Sequence, residues 1–161
     1  MLLLVHHGET VDPAVDSLRP LSPRGRQVAE ALAGACAQRG VRPSAVWHSG
    51  KLRARQTAEA FWLACNPLAE FTAVRGLQPT DPPGPIRDIL ASDTRDLVIV
   101  GHMPHLEGLL ELLVAPDAGV TGFPSHGVVA LEPETALRWV ERWRLGAADV
   151  GPSVGNGGGR E

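Results

Sequence analysis

The sequence predicts an α/β protein, with helices layered against a mainly parallel central sheet, and three observations predict it. Two short runs, "LLLV" and "LVIV", are apolar at consecutive rather than alternating positions, the pattern of strands buried on both faces. Amphipathic segments with helical spacing follow both, so strands and helices alternate along the chain. The length of 161 residues, with 43% hydrophobic and 20% charged, suits one globular domain with a substantial core.

Each element has its own signal. "MLLLV" forms the first strand. Ser22 is placed to cap a helix, Pro23 to occupy its first position and Gly40 to stop it; Val28, Leu32, Ala35 and Cys36 share one of its faces. "SAVWHSG" reads as a second short strand. "KLRARQTAEAFWLAC" reads as a second helix that turns Ala54, Ala58, Phe61, Trp62 and Cys65 toward the core. A proline-rich stretch follows, with room for a strand in "EFTAVRGL", and "GPIRDILAS" is a short helix. "DLVIVGH" is the clearest strand. "PHLEGLLELLVA" is the helix after it, with Pro104 near its first turn. "GVVALEP" and "LRWVERWRL" make a closing strand pair, with Trp139 and Trp143 on one packed face. The domain is expected over residues 1–145, followed by a Gly-rich flexible tail at 146–161.

Composition excludes several classes. A net charge of -3 provides no basic field for a nucleic-acid partner. The N-terminus lacks a basic segment ahead of its short apolar run, and no stretch approaches the ~20 apolar residues that span a bilayer. A cytoplasmic protein with no membrane partner is the expectation. Cys36 and Cys65 have no zinc-site or disulfide spacing and read as buried thiols.

In open sheets of this kind, ligands bind beyond the carboxyl ends of the strands. There the first strand delivers His6-His7-Gly8 and "LVIV" delivers Gly101-His102. "AVW" delivers His48-Ser49-Gly50 and leads into a helix whose first turn carries Lys51, Arg53 and Arg55. Imidazoles and guanidinium groups without a carboxylate cluster are built to hold an anion, and arginine's fork matches phosphate. Lys51 and Arg55 also read as solvated helix surface. His48 is expected at the surface, His105 at an exposed helix end, and His126 in a loop at most on the rim. A metal site of His6, His7, His102 and His105 is the rival from another class. Successive strand residues point to opposite faces, however, and no carboxylate or thiolate completes the set.

Four stretches carry a resemblance: "LLLVHHGET", "SLRPLSPRGRQVAEAL", "HSGKLRARQTAEAF" and "LVIVGHMPHLEGLL". In this order and spacing the chain resembles the histidine phosphatase superfamily, and its "RPLSPRG" segment is similar to the SixA-type phosphohistidine phosphatases. The resemblance implies a three-layer α/β/α, phosphoglycerate mutase-like fold. It implies that His7 is a nucleophile that becomes transiently phosphorylated, that Arg53 clamps the phosphoryl oxygens and that His102 donates to them from the opposite side. His6, Gly8 and Arg19 fall on the phosphate-binding side, and neither metal nor other cofactor is implied. A neutral imidazole can attack phosphorus if its other nitrogen is held by a group such as a backbone carbonyl.

One position departs from the family. Its first motif is normally Arg-His-Gly, and here His6 replaces the arginine. The expectation is a charged His6 acting as a weaker clamp, with activity falling as pH rises through its titration, and with Arg19 or Arg55 swinging in to compensate. A module that binds phosphorylated ligands with little turnover is the rival reading. The candidates for a general acid are Glu9, Glu70, Asp81 and Asp88, and none is committed; Asp81 in "PTDPPG" is equally explained by turn chemistry. A site without an acid suits a labile P–N bond better than an alkoxide leaving group. The expected substrate is therefore a protein carrying phosphohistidine, with a small phosphorylated metabolite as the alternative.

Overall fold

The computed structural model describes residues 1–119 and 122–151. Six strands and four helices occur in the order β1 (Leu2–His6), α1 (Pro23–Gln38), β2 (Ala45–His48), α2 (Leu52–Cys65), β3 (Glu70–Ala73), α3 (Gly84–Leu90), β4 (Leu97–Gly101), α4 (His105–Leu113), β5 (Val128–Pro133) and β6 (Trp139–Leu145). They form one sheet ordered β3-β2-β4-β1-β5-β6. The pairs β3/β2, β2/β4 and β4/β1 are parallel, whereas β1/β5 and β5/β6 are antiparallel.

The consecutive apolar strands have a simple cause, because the sheet is covered on both faces. Leu2 and Leu4 of β1, with Ile99 of β4, pack against Ile86 and Leu90 of α3 and Leu106, Leu109 and Leu113 of α4. Leu3 and Val5, with Val98 and Val100, face Leu32 and Cys36 of α1 and Ala58, Phe61 and Cys65 of α2. The result is the three-layer α/β/α arrangement. Among the described residues, no helix is long and apolar enough to cross a membrane.

Local signals act as the sequence implies for α1. The Ser22 hydroxyl accepts from the Gly25 amide and Pro23 opens the helix, while Gly40 takes the left-handed backbone (φ 80°) that ends it. One expectation needs correction. Trp139 and Trp143 do not share a face: β5 and β6 slip register between Ala130 and Leu131, and a bulge of this kind reverses the alternation. Trp139 consequently packs with α4, and Trp143 on the α1 side. The expected tail at 146–161 begins with a 3-10 turn, Ala147–Asp149, and from residue 152 it lies outside the described residues.

Candidate active site

Register brings three strand ends to one level. His6 of β1 pairs with Gly101 of β4, and His48 of β2 pairs with Val100. The residues after these ends, His7, His102 and Ser49, therefore emerge side by side into the crevice above the parallel part of the sheet, where such folds bind ligands. The rings of His7 and His102 have centroids 5.0 Å apart.

His7 is 7% exposed, and its Nδ1 lies 2.8 Å from the carbonyl oxygen of Gly8. That carbonyl can only accept, so Nδ1 carries the proton and Nε2 keeps its lone pair. Arg53 donates from Nε to this Nε2 at 3.3 Å. Burial first, and then the nearby His102, Arg53 and His126, hold the His7 imidazole down to about 3, against the opposing pull of the Gly8 carbonyl. At neutral pH it is an uncharged base.

Helix α2 supplies the cation. Arg53 lies in its first turn, and burial together with the Arg19 guanidinium lowers its pKa from the ordinary value. Four residues on, along the same face, the Thr57 hydroxyl donates to the Arg53 carbonyl at 2.8 Å and accepts from the Gly8 amide at 3.0 Å. Thr57 thus ties the loop after β1 to α2. Gly8 serves differently from the expectation: its amide is taken by Thr57 and its carbonyl by His7. A Cβ on Gly8 would lie 2.9 Å from the Gly25 carbonyl oxygen, so glycine is required here for close backbone approach. Arg19 donates to the Thr10 hydroxyl at 3.2 Å from a left-handed backbone (φ 51°).

His102 is 2% exposed, and its Nε2 lies 2.6 Å from the Ser49 hydroxyl. The hydroxyl also accepts from the Lys51 amide at 3.3 Å. Its Nδ1 has no hydrogen-bond partner among the described residues. Burial, followed by Arg53 and Lys51, lowers the His102 pKa to about 3. Gln78 braces the same turn by donating to the Ser49 carbonyl at 2.7 Å.

The remaining histidines are not where the sequence placed them. His48 is 4% exposed and lies against Phe71, with ring centroids 4.9 Å apart. His105 is also buried, at 2% exposed, because the first turn of α4 enters the core. Neither of its ring nitrogens meets hydrogen-bond geometry, although the Gly76 carbonyl and Asp81 lie near enough to favour its charged form against the larger effect of burial. His126 belongs to the site: its ring stacks on His6 at 4.7 Å with 10° between the planes.

His6 itself is uncharged, which corrects the expectation of a charged clamp. Burial, and then His7, His126 and Arg53, lower its pKa to about 3. Arg55 does not stand in for the missing arginine, since it pairs at the surface with Glu59 at 3.2 Å. Glu9 accepts from the Ser22 hydroxyl at 2.8 Å at the start of α1. Asp81 closes a turn by accepting from the Gln78 amide at 2.9 Å.

His6, His7 and His126 have ligand atoms within 4.8 Å of one another, so strand alternation does not keep His6 and His7 apart: β1 ends at His6, and the chain turns. Their hydrogen bonds nonetheless suit a metal poorly. His6 Nδ1 accepts from the His126 amide, which places the proton on Nε2. The stacked His6 and His126 rings also lie almost parallel, and parallel rings do not converge their lone pairs on one ion.

The comparisons agree with this geometry. The model of the histidine phosphatase superfamily (branch 1) matches residues 2–79, a span holding His6, His7, Arg19 and Arg53. Among solved structures, the protein histidine phosphatase SixA complexed with tungstate superposes with a TM-score of 0.82 at 22% identity, covering 92% of this chain and 97% of that one. A protein assigned as a SixA phosphohistidine phosphatase from Agrobacterium tumefaciens gives 0.75 at 25% identity, covering 89% and 96%. A phosphoserine phosphatase from Entamoeba histolytica, in complex with 3-phosphoglyceric acid, gives 0.62 at 17%, covering 89% and 95%. No curated protein sequence matches the chain. The fold is phosphoglycerate mutase-like, and the matches support a phosphatase. Over residues 2–79 the chain is similar to the histidine phosphatase superfamily.

Proposed function

We propose that the protein is a metal-independent phosphatase that works through a phosphohistidine on His7, acting on phosphohistidine in a partner protein. The observation that carries the reading is the His7 imidazole, with Nδ1–H held by Gly8 and an unprotonated Nε2 that accepts from Arg53, a bond that a substrate's phosphoryl oxygens would draw to themselves, with the His102 ring beside it. The Nε2 lone pair forms a bond to phosphorus as the bond to the leaving group breaks. Arg53, Arg19 and His102 stabilise charge on the phosphoryl oxygens. Water then attacks phosphorus, the bond to His7 breaks, and inorganic phosphate leaves.

Two of the candidate carboxylates support this substrate class. Glu9 is held at the α1 cap and Asp81 in its turn, so neither is aimed as a proton donor at a leaving group. A phosphohistidine ring takes a proton from water at its other nitrogen and departs as neutral imidazole when the P–N bond breaks, so it needs such a donor less than an alkoxide does. The printed names of the structural neighbours include both phosphohistidine and phosphoserine phosphatases, and the test must separate the two. Hydrolysis of a phosphohistidine peptide, of phosphoserine and of 3-phosphoglycerate is measured in excess EDTA, for wild type and for His7→Ala. The expected result is turnover of the peptide that survives EDTA and vanishes in the variant. Faster turnover of either monoester would move the substrate to small metabolites. No turnover by wild type would leave a phosphate-binding module.

A further inference from the structure

Arg19 and His126 are the non-glycine residues with left-handed backbone among the described ones, and both border the phosphate site. Such a backbone is costly without glycine and persists only where its surroundings over-determine it. For His126 (φ 50°) those surroundings are explicit. Its amide donates to His6 Nδ1 at 2.9 Å, its own Nδ1 donates to the His7 carbonyl at 2.6 Å, and its ring stacks on His6. On either side, the His6 amide donates to the Gly127 carbonyl at 3.0 Å and the Gly127 amide to that of Pro124 at 3.0 Å. Gly127 is itself packed so tightly that a Cβ would lie 2.4 Å from the Leu145 carbonyl oxygen.

We infer that His126 is a positioning residue that locks His6 as a neutral donor, with its proton on Nε2, in the place of a cationic phosphate clamp. The argument is one of donors and acceptors. An amide N–H can only donate, so the nitrogen it meets must accept, and a neutral imidazole has its single proton on the other nitrogen. Charging His6 would set a second N–H against that of His126. The charged or titratable groups around the ring are His7 on its own strand, His126 from the turn before β5, Arg53 from α2 and His102 beyond β4. None is a carboxylate that would draw a proton onto it. A bound phosphate pulls toward the charged form, but it approaches the Nε2–H side and cannot relieve the opposed N–H groups at Nδ1. His6 accordingly supplies direction without charge, and phosphate binding does not depend on its titration.

The side chain of His126 matters because it holds the strained turn. Without the ring, the bond to the His7 carbonyl and the stacking on His6 are lost, the left-handed backbone is held only by the His126 amide and the bonds around Gly127, and the amide leaves His6 more readily. Asparagine tolerates this backbone and can donate its amide to the His7 carbonyl. The test is nitrogen-15 NMR of the histidine rings in wild type, His126→Ala and His126→Asn, with and without saturating inorganic phosphate, from pH 5 to 8. The His6 signals are assigned by comparison with His6→Asn. Wild-type His6 is expected to stay neutral with its proton on Nε2 throughout, phosphate included. In His126→Ala it should acquire a titration within that range, with kcat/KM falling about ten-fold and gaining a matching pH dependence; His126→Asn should restore most of both. A charged His6 in the wild-type phosphate complex overturns the inference. So does a His126→Ala protein that only melts earlier, with the wild-type tautomer and pH profile. The kinetic arm rests on the proposed phosphatase reading. The spectroscopic arm uses phosphate alone and stands if no substrate turns over.

Discussion

Lowering the pH from 7.5 to 5.5 should destabilise the fold by about 3 to 4 kcal/mol through its active-site histidines. His6, His7 and His102 are each held near 3 in the folded chain, chiefly by burial, whereas an unfolded histidine titrates near 6.5. Because the folded value is the lower, the unfolded chain takes up protons first. The stability these groups contribute is present above pH 6.5 and is lost as pH falls. At pH 5.5 each favours the unfolded state by a factor of about eleven, or about 1.4 kcal/mol, against almost nothing at pH 7.5. Three would give about 4 kcal/mol, and His6, the least enclosed, is discounted. His48 and His105 are shifted in the same direction and add to the loss. Ordinary carboxylates titrate lower, so this interval isolates the imidazoles. Urea unfolding followed by tryptophan fluorescence at both pH values measures the difference. A change below about 1 kcal/mol would mean that the rings are charged in the folded protein, and would refute the reasoning.

Three further outcomes are expected. Ser49→Ala removes the hydroxyl that is hydrogen-bonded to His102 Nε2 and orients its ring, and should lower kcat/KM about ten-fold with little change in melting temperature, as loss of one ~1.4 kcal/mol interaction implies; steady-state kinetics and a thermal melt measure the two. His105→Leu replaces a buried imidazole whose nitrogens lack partners and should raise stability by about 1 kcal/mol at neutral pH, read by urea unfolding. Gly25→Ala would drive a Cβ to 2.0 Å from the Glu9 carbonyl oxygen, and should cost about 1–3 kcal/mol as well as activity, because the loop bearing His7 must move. Unchanged unfolding and kinetics in that variant would show that the loop yields freely.

Much of this was legible in the sequence because strand ends are local signals. The runs before His7 and His102 mark buried strands by their unbroken apolarity, and the rule for open sheets places their ends at the site. Ser49 and Thr57 lay in stretches already singled out, but their roles depend on which atoms they reach across the crevice. His126 was beyond reach for a different reason. It is brought to His6 by the antiparallel pairing of β5 with β1, a contact between distant parts of the chain that no local pattern encodes. His48 and His105 were misplaced because polar type argues for the surface, whereas the sheet and the first turn of α4 carry them inward.

His6 and His126 also bear on how the site manages charge. Three imidazoles pressed together would repel one another if protonated, and the observed hydrogen bonds keep His6 and His7 in single, uncharged tautomers. Under the proposed function, the fixed positive charge offered to a phosphoryl group then comes from Arg53 and Arg19; burial, and after it the Arg19 guanidinium, already lower the pKa of Arg53. A third guanidinium at position 6 would compound their mutual repulsion in the unliganded site. Replacing His6 with arginine should therefore strengthen binding of inorganic phosphate while lowering stability, since Arg cannot accept the His126 amide and would leave that donor unpaired. Phosphate titration calorimetry and urea unfolding of His6→Arg measure the two effects. Tighter binding with no loss of stability would show that the His126 amide finds another partner, and that the histidine pair is dispensable to the fold.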